Sequence, residues 1–414
     1  MKILMINHFP LEGSGSGTYT KNLAVSLTKK GHEVCIIMPE NREDYPMLDG
    51  IRLHPVFFTD DGIASGGVKA PAPKGALEFN FPCFTSHPRS VTTFADLDET
   101  QLAAYKDAFT VAIKEEIDEY APEIIHGQHV WILPSLAADL RIPLVLTAHG
   151  TDLMGADKWP ELKPYAREAL DAAEYVISIS KDNCELLEKT FPGCADKIVM
   201  MRNGFNENVF YPAVQDRSRM LAEYGIEYNG EKVVMFAGKL ANFKGIDILL
   251  QAAAKYEKAE PETITLIAGD GDERDKLHAL ANELELKTVH FLGNVDQKTL
   301  AKLYNLGDVS LVPSRREPFG LVAIEAMACG TPVIASDQGG LPDFVNDNVG
   351  RLVTPEDPDD LALAVTDILK RTEEEAGWRE KIAAYARGNY SQDAIIGELE
   401  ELYVKAVKTG FQGM

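Results

Sequence analysis

The sequence has few cysteines, no long apolar run and a deficit of basic side chains. Its five cysteines are widely scattered and include no C-x-x-C pair, which favours reduced thiols in a cytoplasmic protein. No run of about eighteen apolar residues occurs, which argues against a membrane-spanning helix. The apolar stretch Met1–Asn7 is too short for a secretory signal, and we predict that it forms a first buried strand.

The balance of charge restricts the expected partners. The chain has 41 basic and 64 acidic side chains and a formal net charge of −23 at pH 7. Such a surface repels the phosphates of nucleic acid and of anionic lipid. Small molecules are therefore the expected partners, and neither nucleic acid nor stable membrane insertion is predicted. The length of 414 residues, 45% of them hydrophobic, is typical of a soluble protein with two or three globular units.

Short apolar runs alternate with helix-length segments from the start of the chain. The run Ile3–Ile6, the helical segment Thr18–Lys30 and the run Val34–Met38 form a βαβ pattern, which indicates a parallel sheet. Further strands are predicted at Ile124–His126, Leu144–Ala148, Tyr175–Ile179 and Ile198–Met201. Together they predict one doubly wound domain over residues 1–204.

The alternation restarts after the turn-like stretch Asn203–Pro212. Strands are predicted at Val233–Ala237, Ile264–Ala268, Val289–Leu292, Val309–Val312 and Val333–Ala335. They predict a second doubly wound domain over residues 205–392. Residues 393–414 carry apolar side chains at a helical spacing. We expect this last helix to pack back on the N-terminal domain, although its spacing does not identify the domain.

One segment of the first domain breaks the alternation. Residues Phe57–Phe94 are rich in Gly, Pro, Ser and Thr and show no sustained period. Loops this long in compact domains are usually functional or disordered. Because Phe79, Phe81 and Phe84 give this segment more aromatic side chains than a plain linker requires, we predict an ordered lid over a cleft between the domains. A disordered loop is the alternative.

Two loops of the second domain carry the strongest chemical signals. In Val309–Pro332 a strand leads into a loop and a helix, and Glu317 and Glu325 bracket the start of that helix. The free N–H groups of a helix start suit an anion, and six residues would place Glu325 roughly 9 Å further along the axis. Upstream, Lys239 and Lys244 follow another strand, where open α/β sheets bind ligands. Taken alone, either lysine is better interpreted as an ordinary solvated side chain, and its place at the end of a strand is what favours a binding role.

The first domain carries weaker signals. Its glycine-rich loop Glu12–Thr18 precedes a helix and can approach a phosphate, but it lies too far from the strand for a nicotinamide-binding fingerprint, which argues against a dehydrogenase. His149 follows a strand and either donates to a sugar hydroxyl or a leaving phosphate or simply caps the next segment. His126, His129, His149 and Asp152 could be combined into a metal site, but nothing fixes their geometry and no metal is predicted.

The stretch Glu317–Glu325 resembles the E-x7-E motif of the retaining glycosyltransferases of family 4. That family has the α/β GT-B fold, in which two doubly wound Rossmann-like domains face each other across a cleft. The resemblance covers nearly the whole chain and is specific only in combination. Its other parts are the first glycine loop, His149, Asn203-Gly204, Gly238–Gly245, Ala268–Gly271, Phe291–Gly293 and Gly339–Pro342.

The resemblance implies roles for individual residues. Glu317 would hold the hydroxyls of the donor sugar, Glu325 would bind the ribose, and Lys239 and Lys244 would stabilise the departing diphosphate. His149 would lie near the sugar. The remaining donor-binding residues would be Gly17 from the other domain, Gly238, and the backbone N–H groups of Phe319, Gly320 and Leu321. Family members usually have Arg in place of Lys239, which gives fork geometry, and Glu in place of Asp343.

The predicted activity is retaining transfer of a hexose or N-acetylhexosamine from a nucleotide diphosphate sugar, preferably a UDP-sugar, to a small polar acceptor. Cations and a helix end match the charge of the leaving group, so neither metal nor cofactor is predicted. Arg89 and His87, with Asp152, are the candidates for binding the acceptor, which makes a carboxylate or phosphate on it plausible. Either Arg89 or His87 could instead be solvated. The stretch His149–Asp152 resembles members that transfer N-acetylglucosamine to malate, but the match is too short to decide.

Other functions stay open at this point. A GT-B phosphorylase or a nucleotide-sugar epimerase would use the same cleft. A non-enzymatic nucleotide-sugar-binding protein is less consistent with Glu317, Lys244 and His149. A hydrolase that pairs Glu317 with a second carboxylate would leave the lysines unexplained. The nucleotide base, the sugar, the acceptor and the oligomeric state are not readable from the sequence.

Overall fold

The structure is a computed structural model that describes residues 1–60, 62, 69, 71–85 and 87–412. It divides into two compact units. The N-terminal unit comprises Met1–Arg202 and Ile395–Met414, and the C-terminal unit comprises Asn203–Ala394. Each unit has its own parallel sheet with helices packed against it.

Parallel strands form the sheet of the N-terminal unit. Within its described residues they are β1 (Lys2–Asn7), β2 (Glu33–Glu40), β3 (Ile51–Phe57), β4 (Ile124–Gln128), β5 (Leu144–Ala148), β6 (Tyr175–Ser178) and β7 (Ile198–Met200). The strand order is β3-β2-β1-β4-β5-β6-β7. The central strands are buried, as is usual for parallel sheets covered on both faces. The order reverses between β1 and β4, and such sheets bind ligands beside the carboxyl ends of these strands.

Helices connect these strands. They are α1 (Gly15–Lys29), α2 (Glu99–Tyr120), α3 (Ile132–Ser135), α4 (Thr151–Lys158), α5 (Lys163–Ala172) and α6 (Lys181–Thr190), with 3₁₀ turns at Phe94–Asp96 and Ala195–Lys197. The start of α1 is fixed by Ser14, whose hydroxyl accepts a hydrogen bond from the N–H of Gly17 at 3.0 Å. A Cβ atom at Gly17 would lie 2.1 Å from the carbonyl oxygen of Pro10, so only glycine fits there.

The described part of Phe57–Phe94 belongs to the core of the N-terminal unit. Phe58, Phe81 and Phe84 are buried and pack in the same hydrophobic cluster as Trp131. The predicted lid is therefore wrong for these aromatic residues, because they supply core volume and not a cover. Residues 61, 63–68, 70 and 86 of that segment lie outside the described residues.

The sheet of the C-terminal unit repeats the same arrangement. Its strands are β8 (Lys232–Ala237), β9 (Thr263–Ala268), β10 (Val289–Gly293), β11 (Val309–Val312), β12 (Val333–Ser336) and β13 (Gly350–Val353). They pair in parallel in the order β10-β9-β8-β11-β12-β13. Here the order reverses between β8 and β11, so the loops after these two strands lie at the expected ligand-binding edge.

Helices also cover the C-terminal sheet. They are α7 (Arg217–Ala222), α8 (Ile246–Ala259), α9 (Arg274–Glu283), α10 (Gln297–Leu306), α11 (Leu321–Ala328), α12 (Pro358–Glu374) and α13 (Trp378–Tyr390), with 3₁₀ turns at Asn242–Lys244 and Leu341–Asp343. Asp296 caps α10 by accepting from the N–H of Thr299, and Asp357 caps α12 in the same way.

The last helix, α14 (Gln392–Gln412), returns to the N-terminal unit. Ile396, Leu399 and Tyr403 are fully buried in a cluster with residues of β1 and α1. The Tyr403 hydroxyl lies 2.6 Å from Nδ1 of His126, which fixes the helix to β4. No helix among the described residues combines the length and the apolar character that crossing a membrane requires.

Candidate functional site

Two loops of the C-terminal unit meet at the reversal of strand order. The loop after β8 carries Lys239 and Lys244, and the loop after β11 carries Glu317. Nζ of Lys244 donates to Oε2 of Glu317 at 2.6 Å, and the Ser314 hydroxyl donates to the same oxygen at 3.1 Å. Both charged side chains are largely buried, so this is a tightly held ion pair. The structure thus brings together two of the predicted catalytic residues.

The two loops approach each other closely at Gly245, the residue between Lys244 and helix α8. Its φ is +68°, in the left-handed region that favours glycine. A Cβ atom there would lie 2.0 Å from the carbonyl oxygen of Pro313 in the other loop. Any side chain at Gly245 would therefore push the two loops apart at this point.

Helix α11 begins beside this ion pair. Gly320 is its N-cap with φ +103°, and the free N–H groups of the first turn follow from Leu321. Phe319 is buried against Phe344, with 5.4 Å between ring centroids, which anchors the loop before the helix. The start of α11 and Lys244 therefore offer N–H groups and a cation in one region, which suits a phosphate.

Glu325 lies four residues into α11, roughly 6 Å along the axis and not the 9 Å that the sequence predicted. Burial raises the pKa of its carboxyl group from the ordinary 4.5 to about 8. The carboxyl group of Glu325 interacts electrostatically with the side chains of Tyr304 and Cys329. None of the described residues donates a hydrogen bond to the Glu325 carboxylate, so a bound ligand could supply those donors.

The other predicted donor-site residues of this unit lie at the same sheet edge. Nζ of Lys239 is 3.4 Å from the exposed carboxylate of Asp272. The N–H of Gly238 donates to the carbonyl oxygen of Ala268 at 3.0 Å, which extends the β8–β9 pairing by one residue. Lys239 is therefore more exposed than Lys244.

Arg315 was not among the predicted site residues, yet it joins the two loops. Its guanidinium group donates twice to Asp247 at the start of α8, at 2.8 and 2.7 Å. It also donates to the carbonyl oxygen of Asn242 at 2.7 Å, and its own N–H donates to the carbonyl oxygen of Phe243 at 2.8 Å. Because these contacts flank both Lys244 and Glu317, Arg315 is a positioning residue for the ion pair. In the sequence, Arg315 stands two positions before Glu317 and Asp247 stands three positions after Lys244. These opposite charges were the only indication of the contact that the sequence offered.

Substitution Arg315→Lys is expected to lower kcat about tenfold and to change the KM for donor by less than about threefold, because lysine keeps the charge but cannot form the two-pronged contact with Asp247. Steady-state kinetics of the purified variant measures this. Arg351→Lys is the matched control, since Arg351 forms ion pairs with Asp360 and Asp367 in the same unit. An equal kcat loss in the control, or a loss confined to KM, would contradict the assignment.

At the N-terminal sheet, His149 lies directly after β5. Its Nε2 donates to Oε1 of Gln128, the last residue of β4, at 3.1 Å, and its ring contacts those of Tyr19 and His129. Burial lowers the pKa of His149 to about 3, so the imidazole is neutral at physiological pH. A neutral imidazole can exchange hydrogen bonds with a sugar hydroxyl but cannot neutralise a phosphate.

The side chains of Asp152 and His126 form hydrogen bonds with other groups of the N-terminal unit. The carboxylate of Asp152 is fully buried and accepts from the N–H groups of Val130 at 2.8 Å and Leu153 at 3.1 Å, while burial raises its pKa to about 6. His126 has both ring nitrogens in hydrogen bonds, to Tyr403 and Thr147. Asp152 therefore stabilises the turn after His149, and its contact with an acceptor stays a prediction.

The described residues contain no group of three or more His, Cys, Asp or Glu side chains placed to hold a metal ion. The predicted acceptor residues His87 and Arg89 line a cavity of about 470 Å³ in the N-terminal unit. The Arg89 guanidinium is not free, because it forms an ion pair with the buried Glu40 carboxylate. The sequence-based view of Arg89 as an open anion-binding cation is therefore corrected.

Comparisons with known proteins match the chain to glycosyltransferases. Residues 223–387 match the family model described as glycosyl transferases group 1, and residues 13–209 match the model of glycosyltransferase family 4. An uncharacterized glycosyltransferase of Methanocaldococcus jannaschii, MJ1607, is 30% identical over 99% of both chains. A D-inositol 3-phosphate glycosyltransferase of Mycolicibacterium smegmatis is 33% identical over 67% of both. Among solved structures, Anabaena Alr3699/HepE in complex with UDP and glucose superposes with a TM-score of 0.74 at 22% identity, covering 98% of this chain and all of the other.

Proposed function

Since the chain belongs to the family 4 glycosyltransferases of GT-B type, we propose that it transfers a hexose or N-acetylhexosamine from a nucleotide diphosphate sugar to a small polar acceptor. We further propose that transfer retains the anomeric configuration and needs no metal ion. The observation that carries the proposal is the Lys244–Glu317 ion pair beside the start of α11. A UDP-sugar is the preferred donor, which the UDP complex of the similar HepE structure supports.

Lys244 and Glu317 have separate roles when the donor binds. Glu317 exchanges the lysine for sugar hydroxyls, which donate to its carboxylate. Lys244 is thereby released toward the diphosphate, which also faces the free N–H groups at the start of α11. The donor compensates for the broken ion pair, because its hydroxyls replace Lys244 at Glu317 and its diphosphate replaces Glu317 at Lys244.

Bond cleavage at the anomeric carbon transfers negative charge to the departing diphosphate. A cation and helix N–H groups that are already in place stabilise this charge without reorganising, and such preorganised groups are the largest contribution in many enzymes. The oxygen of the acceptor hydroxyl then bonds to the oxocarbenium-like sugar, and the hydroxyl proton passes to the departing diphosphate. Lys244 is the main cation in this scheme, and Lys239 adds a second, more exposed charge.

The acceptor is proposed to bind at the carboxyl edge of the N-terminal sheet and to arrive from solution in the cytoplasm. His149 lies at that edge as a neutral hydrogen-bonding group. The net charge of −23 disfavours docking on an anionic bilayer. A D-inositol 3-phosphate glycosyltransferase among the relatives also suggests a small hydroxylated acceptor.

Incubation with a panel of UDP-, GDP- and ADP-sugars and small polyols, in excess EDTA, is expected to yield a new glycoside and a nucleoside diphosphate. Proton NMR of the fresh product is expected to show the anomeric configuration of the donor. The same measurement separates transfer from the alternatives. A phosphorylase would need inorganic phosphate, an epimerase would form no glycoside, and a binding protein would release no nucleotide.

Two results would contradict parts of this proposal independently. Loss of turnover in EDTA that magnesium or manganese restores would reject metal independence. An inverted product would reject retention but would leave the transferase activity itself in place.

A further inference from the structure

The cavity of about 470 Å³ in the N-terminal unit lies at the expected ligand edge of its sheet. Its walls come from the loop after β1, the stretch after β2 and the segment around His87. Parallel α/β sheets bind ligands beside the carboxyl ends of their strands. The cavity is large enough for one sugar-sized molecule. On the proposed function, it is the candidate acceptor pocket.

The least exposed cation among the residues that line this pocket, Arg89, is already neutralised. Nη1 of Arg89 contacts Oε1 of Glu40, and Nη2 donates to Oε2 at 3.2 Å. Glu40 also accepts from the N–H groups of Asn41 at 2.8 Å and Arg42 at 3.2 Å, which hold the carboxylate in place. The carbonyl oxygen of Arg89 accepts from the Asn80 amide at 2.8 Å. Because both partners are fixed, Arg89 cannot turn toward a ligand phosphate without leaving a buried carboxylate unpaired.

His87 is likewise a neutral group. Its Nδ1 accepts from the N–H of Arg89 at 3.1 Å, and its Nε2 donates to the carbonyl oxygen of Glu12 at 2.9 Å. An imidazole with one accepting and one donating nitrogen carries no charge. The side chain is buried and stacks on Phe9, with 6.2 Å between ring centroids. His87 therefore shapes the pocket and does not attract an anion.

The rest of the lining has no excess of positive charge. The lining contains three carboxylates, of Glu12, Glu40 and Asp44, against the two guanidinium groups of Arg42 and Arg89. Glu12 also forms an exposed ion pair with Lys21 at 3.1 Å, which makes the surroundings close to neutral. The other side chains that line the pocket, among them Tyr45, are apolar or aromatic. Such side chains are common where proteins contact the C–H faces of sugar rings.

We propose that this pocket takes an uncharged, hydroxyl-rich acceptor, a polyol or a sugar ring without phosphate or carboxylate, and that Glu40 determines this preference. The inference rests on the proposed function and narrows its acceptor. A phosphate ester would find the Arg89 guanidinium already paired with Glu40, so this cation would not offset the cost of dehydrating the ester's charge. Hydroxyl groups can instead donate to the exposed carboxylates and the backbone carbonyl groups of the lining.

Saturation-transfer NMR on the full chain tests this with two matched pairs, myo-inositol against D-inositol 3-phosphate and glucose against glucose 6-phosphate. At least one parent polyol is expected to bind, and its phosphate ester is expected to bind about tenfold more weakly or not at all. In Glu40→Gln the ester should gain about tenfold in affinity while the parent changes by less than about threefold. Glu43→Gln is the control, since it removes the same charge from an exposed neighbour outside the lining.

If Glu40→Gln does not fold, the wild-type comparison still decides whether the pocket prefers an uncharged acceptor. Tighter binding of either ester than of its parent by wild type overturns the inference, and so does failure of both parents to bind. The double variant Glu40→Gln/Arg89→Gln keeps the site neutral and should retain the wild-type preference. Nucleotide release from a UDP-sugar is measured separately. Its absence with every donor would reject the proposed function, whereas ester preference with normal release would reject only this inference.

Discussion

Substitution Lys244→Ala is expected to lower kcat by about a hundred- to a thousandfold and to weaken donor binding by less than about tenfold. The charge of Lys244 matters most when negative charge develops on the leaving diphosphate. In the ground state we expect the helix start and Lys239 to keep holding the phosphates. Single-turnover kinetics separates the chemical step from binding, and a thermal-shift titration with the UDP-sugar measures the affinity.

The ion pair makes a second variant informative. Without Lys244, the largely buried Glu317 carboxylate loses its cationic partner and keeps only the Ser314 hydroxyl. Part of the loss in Lys244→Ala could therefore come from a displaced Glu317. The double variant Lys244→Ala/Glu317→Gln removes the unpaired charge. If Lys244 stabilises the leaving group itself, the double variant stays at least as slow as the single one.

The matched control for this experiment is Lys255→Ala. Lys255 lies on α8 in the same unit and pairs with Asp359 in an exposed contact. Its loss should change kcat by less than about twofold, since exposed ion pairs contribute little. Near-normal turnover in Lys244→Ala, or a comparable loss in the control, would show that Lys244 does not act on the leaving group.

The buried strands of both sheets were predictable because parallel strands covered on two faces are continuous apolar runs. The predicted Leu144–Ala148 and Val309–Val312 coincide with β5 and β11. The strands that were missed, β3 and β13, lie at sheet edges. β3 contains Pro55, whose missing N–H group is tolerated only where one side of the strand is unpaired. An edge strand lacks the continuous apolar run by which a buried parallel strand is recognised in the sequence.

The aromatic residues of Phe57–Phe94 were misassigned for a related reason. Loop-like composition with glycine and proline indicates irregular backbone, but it does not indicate where side chains point. Phe81 and Phe84 fill the core beside α2 and Trp131 although their backbone is neither helix nor strand. Burial of such residues depends on tertiary packing, which cannot be predicted from the local spacing of apolar residues.

The candidate site was predictable at the level of loops. Doubly wound order places β8 and β11 side by side, so the loops that follow them and carry Lys244 and Glu317 had to meet. The ion pair between the two side chains, the contact of Arg315 with Asp247 and the pairing of Arg89 with Glu40 were not predictable. Each depends on side-chain geometry across distant parts of the chain. These contacts change the functional interpretation most, because they decide which charges are available to a ligand.

The affinity for a UDP-sugar is expected to rise with pH between 6 and 8 because of Glu325. Its pKa is about 8 in the free protein, so the carboxyl group is mostly protonated at pH 7. Ribose hydroxyls that donate to the carboxylate favour its ionised form and lower its pKa in the complex. Binding therefore releases a proton. The affinity should increase by up to about tenfold per pH unit below 8 and level off above it.

Stability of the free protein should depend on pH in the opposite direction. The folded pKa of Glu325 lies above its ordinary value of 4.5, so the folded state holds the extra proton between these two values. The contribution of Glu325 to the free energy of unfolding is therefore full below pH 4.5 and is lost as the pH rises through about 8. Urea unfolding at pH 6 and pH 8.5, compared between wild type and Glu325→Gln, measures this difference without any ligand.

Substitution Glu325→Gln is expected to abolish most of both pH dependences and to weaken UDP-sugar binding at pH 8 about ten- to a hundredfold, because a neutral amide accepts ribose hydroxyls less strongly than a carboxylate. Turnover at saturating donor should fall much less, since the role proposed for Glu325 is to bind the ribose and not the departing bond. Glu283→Gln, an exposed glutamate on α9, is the control and should leave both pH profiles unchanged. Calorimetric titration in two buffers of different ionisation enthalpy counts the protons released. A wild-type affinity that is flat from pH 6 to 8, or a slope that survives in Glu325→Gln, would show that Glu325 does not contact the donor.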